Sequence, residues 1–268
     1  MNDDGSLRLE LPALLAGRRG LVLGVSSENS VGFHLARHLQ ALGAEVAASL
    51  RPNRGQFLSR LSELGMFCVE LDALDESSIE RAVQRTGERF ERLDFVVHGL
   101  VHVPEGALSR PVQQLSAREL ADAMEVGVRS LLVVARFAQP LLQRSDAPRI
   151  VTLLSGGADF AMPAYHVLGM VKAALGSAVR YLAAELGPAG ILCNAVNFSI
   201  LETDAALHVI GTERTQQTRQ HLSKRSMTQR ALSFTDVAQA VAFLASPLCS
   251  NLTGEALTVD GGFSKSYF

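Results

Sequence analysis

Two side chains in the middle of the chain have types and spacing that could do chemistry: Tyr165 and Lys172. On a helix, seven residues turn through roughly 700°, about 20° short of two turns, which places both side chains on one face. A phenol is a poor acid, with an unperturbed pKa of about 10. An ammonium group held nearby would ease its ionisation and make the hydroxyl a readier donor of a hydrogen bond or proton. Taken alone, the pair also fits an amphipathic helix with one snorkelling lysine. The elements around it have to decide.

The chain supplies such elements in alternation. Residues 18–25 read as a short buried strand, followed by the small-residue loop Ser26-Ser27-Glu28-Asn29-Ser30 and a helix from Val31. A strand, a loop and a helix N-terminus make an anion site, because free N–H groups and the positive end of the helix dipole face outward. Gly24 and Gly32 carry no side chain that would block a pyrophosphate, although the spacing is not G-x-G-x-x-G. A second strand over 44–50 ends at Arg51, with Arg54 close behind. In a dinucleotide-binding unit that position lies beside the adenosine ribose, where arginine suits a 2′-phosphate; the alternative is an ordinary surface arginine. Further strands are expected over 66–71, 93–98, 149–155, 191–196 and 255–259. Helices are expected over 77–91, over 116–143 with a break near Gly127, and from Tyr165 to about Leu186. Such alternation predicts an α/β fold: one Rossmann-like, doubly wound parallel sheet with helices on both faces, in a single domain over residues 1–268.

Composition narrows the function classes. Hydrophobic residues make up 47% of the 268 and charged residues 19%, the profile of a well-filled core. A formal net charge of −2 without any basic block argues against a nucleic-acid surface. Cys68, Cys193 and Cys249 are widely spaced, and the histidines have no metal-ligand spacing, so neither a disulfide framework nor a metal site is expected. His34 and His38, one turn apart, read as a surface pair. The polar, acidic start from Met1 to Glu10 is unlike a signal peptide, and no uninterrupted apolar run has membrane-spanning length. The expectation is a cytoplasmic protein with no membrane or nucleic-acid partner.

With these motifs in place the chain resembles the short-chain dehydrogenase/reductase superfamily, and within it the divergent branch of enoyl-[acyl-carrier-protein] reductases. The nucleotide loop of that branch reads Gly-x5-Ser-x-Ala/Gly, which Gly24, Ser30 and Gly32 meet. Its signature Tyr-x6-Lys is met by Tyr165 and Lys172; ordinary members place the lysine four residues after the tyrosine, where this chain has Gly169. The segment 252–263 is similar to the family's last strand and tail, so the likeness runs from about Gly17 to Phe263. It implies a pyrophosphate at Gly24, Ser30 and Val31, and a 2′-phosphate at Arg51. It places Asp72 and Ala73 along the adenine, and Gly99 and Leu100 at the adenosine ribose and the nicotinamide half. Lys172 would take the nicotinamide ribose, and Ile200 and Thr203 belong to the segment along the nicotinamide face. Substrate would meet Val101, Phe160, Tyr165, Leu168 and Leu207. The implied cofactor is NADPH, with NADH as the alternative. The implied reaction is hydride transfer to the β-carbon of an α,β-unsaturated acyl thioester on an acyl carrier protein or coenzyme A. Relatives imply a homotetramer.

Three departures bear on this reading. The loop 155–164 lacks the second aromatic donor usual in the branch, and Phe160 cannot donate a hydrogen bond. Val101 replaces a glycine expected after the fourth strand, and Ser199-Ile200 replaces a Gly-Pro pair after the sixth. They point to a specialised acyl or polyketide pathway, or to a carbonyl reductase of the same architecture in which Tyr165 protonates a carbonyl oxygen. A binding relative without turnover is the third reading. Residues 198–230 are expected to form a substrate lid. It includes a cluster of Arg214, Arg219, Lys224, Arg225 and Arg230 that is either a solvated helical face or a dock for an acidic carrier. His166 is expected on another face of the Tyr165 helix.

Overall fold

The computed structural model describes residues 14–266, so the acidic start read above lies outside the described residues. Seven strands form one sheet: β1 (Arg19–Leu23), β2 (Glu45–Leu50), β3 (Phe67–Glu70), β4 (Phe95–His98), β5 (Arg149–Ser155), β6 (Leu192–Phe198) and β7 (Ala256–Val259). Their order is β3-β2-β1-β4-β5-β6-β7 and every pairing is parallel. The order reverses between β1 and β4, and the crevice at the C-terminal ends of strands beside such a reversal is where open α/β sheets bind ligands.

Period-two alternation divides each strand between two cores. Leu21 and Leu23 of β1, with Val96 and Ile150, face a layer built by α3 (Glu76–Phe90), α4 (Ala117–Met124), α5 (Ser130–Leu142) and α6 (His166–Leu186). Val22, Val97 and Val151 face the other layer, built by α1 (Val31–Ala41), α2 (Gly55–Glu63) and α9 (Phe234–Ala245). Each fully buried Leu or Val contributes on the order of 1.5–3 kcal/mol. The same burial explains the long apolar run of α6. By length and composition it could cross a bilayer, but Val167, Val171, Leu175 and Val179 are spent on the core.

The helix expected over 116–143 is interrupted where expected: a π-helical turn, Glu125–Arg129, separates α4 from α5 and contains Gly127. A Cβ on Gly127 would lie 2.3 Å from Val171 Cγ1, so the glycine lets this turn sit against α6. Two helices, α7 (Asp204–Ile210) and α8 (Thr212–Arg225), occupy the stretch read as a lid. The sequence reading did not pick out α2 or α9.

Candidate active site

The loop after β1 is shaped by backbone crowding. Gly24 has φ +91°, and a Cβ there would lie 2.7 Å from the Gly99 carbonyl oxygen; one on Gly32 would lie 2.6 Å from the Gly24 carbonyl oxygen. These glycines therefore let β1, β4 and α1 converge, a stricter demand than the room for a pyrophosphate read from the sequence. Ser30 is the N-cap of α1. Its Oγ accepts from the Phe33 N–H at 3.2 Å and from the N–H groups of Ser26 and Ser27, and donates to the Ser27 carbonyl at 2.7 Å. Expected at the cofactor, this hydroxyl is already committed to folding the loop. Capping leaves Val31 and Gly32 N–H without intrahelical acceptors, and the first turn of α1 has no acidic residue. The cradle so formed suits an anion.

Around it, Arg51 and Arg54 are exposed at the end of β2 and form no ion pair among the described residues. The charge of Arg51 is felt at His102, whose imidazole is pushed below its ordinary pKa by burial first and by Arg51 second. Asp72 is engaged in a turn: its Oδ1 accepts from the Leu74 N–H at 3.0 Å, and its own N–H donates to Ser78 Oγ. Ala73 is buried behind it. Gly99 N–H donates to the Leu23 carbonyl, and Leu100 and Val101 pack half-buried on the core.

The tyrosine and the lysine are arranged differently from the expectation. α6 begins at His166, and Tyr165 is its N-cap, with φ −135° and ψ 6°. Tyr165 therefore adjoins the helix that carries Lys172 and does not lie within it. The Tyr165 hydroxyl shares a hydrogen bond with Ser155 Oγ at 2.9 Å, at the C-terminal end of β5. Lys172 is buried, and its Nζ donates to the Leu153 carbonyl at 2.7 Å. Burial raises the phenol above its ordinary pKa, outweighing the bond to Ser155, so the expected easing of ionisation does not occur in this structure. Burial brings the Lys172 ammonium down to about 8. The lysine's charge is felt instead at His98, which burial and Lys172 together hold down to about 3. This neutral imidazole lies between Ser130 Oγ at 2.8 Å and Thr152 Oγ1 at 3.2 Å.

Gly169, where an ordinary member would carry its lysine, is excluded from that role by packing. A Cβ there would lie 2.8 Å from the Gly157 carbonyl oxygen, and one on Gly157 would lie 2.5 Å from the Tyr165 ring. The turn after β5 is thus pressed against the tyrosine and the first turn of α6.

Sequence comparison bears on what such a site belongs to. The family model described as enoyl-(acyl carrier protein) reductase matches residues 24–264. The chain belongs to that family. This family member is 30% identical over 255 residues to an enoyl-[acyl-carrier-protein] reductase [NADH] FabI of Synechocystis, a match spanning 93% of this chain and 97% of the relative. It is 32% identical over 257 residues to the FabI of Neisseria meningitidis serogroup B, spanning 93% and 96%. Among solved structures it is similar to the enoyl-(acyl-carrier-protein) reductase of Anaplasma phagocytophilum in complex with NAD. The TM-score there is 0.88 and the identity 28%, over 95% of this chain and 97% of that one. The Aquifex aeolicus enoyl-[acyl-carrier-protein] reductase (NADH) gives a TM-score of 0.88 at 29% identity, over 95% and 99%.

The other expected site residues of this reductase are spread more widely. Leu168, expected at the substrate, is packed in the core, because its place in the first turn of α6 points it at the sheet. The Phe160 ring lies over Gly156 and 6.1 Å from the ring of Phe263. Thr203, expected at the cofactor, caps α7 by accepting from the Ala206 N–H at 3.0 Å, and Leu207 is half-buried in α7. Ile200 lines a shallow cleft together with Ser199, Arg219, Leu222 and Thr228; Ser155, Tyr165 and Lys172 do not line it. In the basic cluster, Arg219 pairs with Glu202 at 2.7 Å and Arg230 with Asp236 at 2.8 Å, which neutralises part of it. His34 stacks on Phe234 at 3.8 Å, and His166 Nε2 lies 3.0 Å from the Arg110 carbonyl oxygen. No cluster of metal-ligating side chains occurs among the described residues. The residue that the sequence reading missed is Ser155. The available signal was a hydroxyl at the C-terminal end of a central strand, the edge where such sheets place their chemistry.

Proposed function

We propose that this chain reduces the C=C bond of an α,β-unsaturated acyl thioester with a nicotinamide dinucleotide, and that Tyr165 is the donor to the substrate oxygen. The observation that carries the reading is the Tyr165 hydroxyl hydrogen-bonded to Ser155 at the C-terminal sheet edge, with buried Lys172 anchored beside β5. The residues present fit the cofactor. The uncapped N–H groups of Val31 and Gly32 suit the pyrophosphate, and Lys172 spends one of its three N–H donors on Leu153, leaving others for ribose hydroxyls. When bound, the reduced nicotinamide supplies the hydride that reaches the β-carbon of the substrate.

The chain's own part is electrostatic. Negative charge develops on the thioester oxygen, and a neutral phenol donates a hydrogen bond to it; such a donor is commonly worth on the order of 100–1,000-fold in rate. A phenol is protonated at neutral pH at its ordinary pKa, and burial raises that of Tyr165 further, so the hydroxyl has a hydrogen to donate. Addition of a proton at the α-carbon completes the reduction. Arg51, exposed and without an ion-pair partner among the described residues, supports NADPH as the preferred form. The relatives above carry NADH in their names, which makes NADH the competitor to test against. Residues 198–230, containing α7 and α8, act as the lid over an acyl chain carried by an acyl carrier protein. Exposed Leu132, Met170 and Tyr181 on α5 and α6 support packing of those helices against symmetry mates in a homotetramer.

Ser155 favours a second reading specifically. Two hydroxyls 2.9 Å apart could both donate to a ketone oxygen as its carbon takes the hydride. Crotonyl and acetoacetyl thioesters, assayed side by side by loss of NADPH absorbance, separate the two. Faster turnover of the crotonyl thioester supports enoyl reduction; turnover of acetoacetyl alone refutes it.

A further inference from the structure

A hydrogen-bonded chain joins the turn that carries the tyrosine to the loop after β4. His166, first residue of α6, has Nε2 3.0 Å from the Arg110 carbonyl oxygen, so it donates there as the Nε2–H tautomer. Arg110 reaches back to the Gly106 carbonyl through Nε at 3.3 Å and to Glu119 through its guanidinium. Glu119 in turn closes the capping box with Ser116 at the start of α4. Ala107, in the middle of this loop, is fully buried. The segment 104–116 is thereby laced to itself, to α4 and, through one imidazole, to α6.

The turn it reaches needs support. Ala164 has φ +54°, in the left-handed region that side-chain-bearing residues rarely adopt. Tyr165 is the N-cap of α6, but its side chain makes no capping hydrogen bond to the helix. Sparsely populated backbone conformations persist where the surroundings over-determine them, and they gather at functional sites. Three supports are local: the Tyr165 hydroxyl is hydrogen-bonded to Ser155 Oγ at 2.9 Å, the Gly169 N–H donates to the Tyr165 carbonyl at 2.7 Å, and Gly157 backs the phenol ring. The fourth comes from His166. Its Nδ1 is buried with no hydrogen-bond partner, so the ring's one polar commitment is the bond to Arg110.

We propose that His166 is a positioning residue for the tyrosine: its bond to the Arg110 carbonyl couples the loop 104–116 to the Ala164–Tyr165 turn and so aligns the phenol hydroxyl with the substrate oxygen. The catalytic half of this inference rests on the reductase reading above; the mechanical half does not. His166 touches neither the Tyr165 hydroxyl nor Lys172 and acts through the backbone alone.

The test combines hydrogen exchange with kinetics on the full chain for His166→Ala and His166→Gln, since the glutamine amide keeps an N–H donor near the position of Nε2. In His166→Ala, amide exchange should quicken in both 104–116 and 163–168. The kcat/KM for crotonyl thioester should fall tenfold or more, mostly in kcat, with the NADPH dissociation constant within twofold of wild type. His166→Gln should return exchange and kcat/KM to within about threefold. Unchanged exchange in the alanine variant overturns the proposal, as does quicker exchange with unchanged kcat/KM, or failure of glutamine to rescue. Should the alanine variant not fold, His166→Asn, polar but too short to reach Arg110, takes its place with the same expected losses. If wild type itself does not reduce the crotonyl thioester, the reductase reading fails. The exchange data then still decide the coupling, supporting it if both segments loosen together and refuting it if they do not.

Discussion

Lys172 offers a test in which burial is converted into a number. The free side chain titrates at 10.5 and the buried one at about 8, so the folded protein holds its proton less firmly than the unfolded chain, by the difference of about 2.5 pH units. Between those values the unfolded state binds more protons, and stability therefore rises with pH across the window from 8 to 10.5. Below pH 8 the charged lysine costs the fold about 3 kcal/mol, at ~1.36 kcal/mol for each pH unit between the two values. Other groups titrate in the same window, with the opposite sign. Burial pushes the Cys68 and Cys193 thiols up to about 11 and about 12, so they favour the fold less as pH rises beyond 9. The comparison of wild type with Lys172→Met cancels them. The stability of the variant relative to wild type should decrease by about 2–3 kcal/mol between pH 7 and pH 10, since most of the penalty has gone by pH 10. Urea denaturation of the ligand-free proteins at the two pH values measures it. The same titration predicts that wild-type kcat/KM falls above pH 8 as the ammonium is lost. A stability difference that stays flat from pH 7 to pH 10 would refute the burial argument.

Two further predictions concern the nucleotide loop. Gly32→Ala places a Cβ 2.6 Å from the Gly24 carbonyl oxygen, and crowding of this kind costs about 1–3 kcal/mol. Its melting temperature should fall by several degrees and its NADPH affinity with it, and an unchanged melting curve would show that the loop yields freely. Arg51→Ala should weaken NADPH roughly tenfold or more, as expected for one charge-assisted hydrogen bond, while leaving NADH unaffected. Thermal shifts with each cofactor read this out, and equal losses for both would remove Arg51 from the 2′-phosphate.

Most of the sheet was legible because its signal is local. Strands such as 93–98 are short apolar runs bounded by turn residues, and the break at Gly127 followed from one glycine in a long helical stretch. α9 was missed although Ser233 and Asp236 form a capping box ahead of its apolar run. α2 was missed as well, although Phe57, Leu58 and Leu61 give it one apolar face. At the site, Tyr165 and Lys172 were found by spacing, but spacing could not say that the helix starts one residue after the tyrosine, since helix ends are uncertain by a residue or two. The hydroxyl's partner in the structure, Ser155 on β5, is not readable from the Tyr165–Lys172 spacing either. Burial, which no spacing reveals, then changes the direction of the phenol's pKa. The capping roles of Ser30 and Thr203 were not read from the sequence, where the resemblance gave both only as cofactor contacts.

The account stands on the phenol as the group that donates to the substrate oxygen, and Tyr165→Phe removes that hydroxyl while keeping the ring against Gly157. Steady-state reduction of a crotonyl thioester, with NADPH binding measured on the same samples, is the direct test. A fall in kcat of about 100-fold or more with cofactor affinity within twofold of wild type is the predicted result. A phenylalanine variant that turns over at the wild-type rate would contradict it.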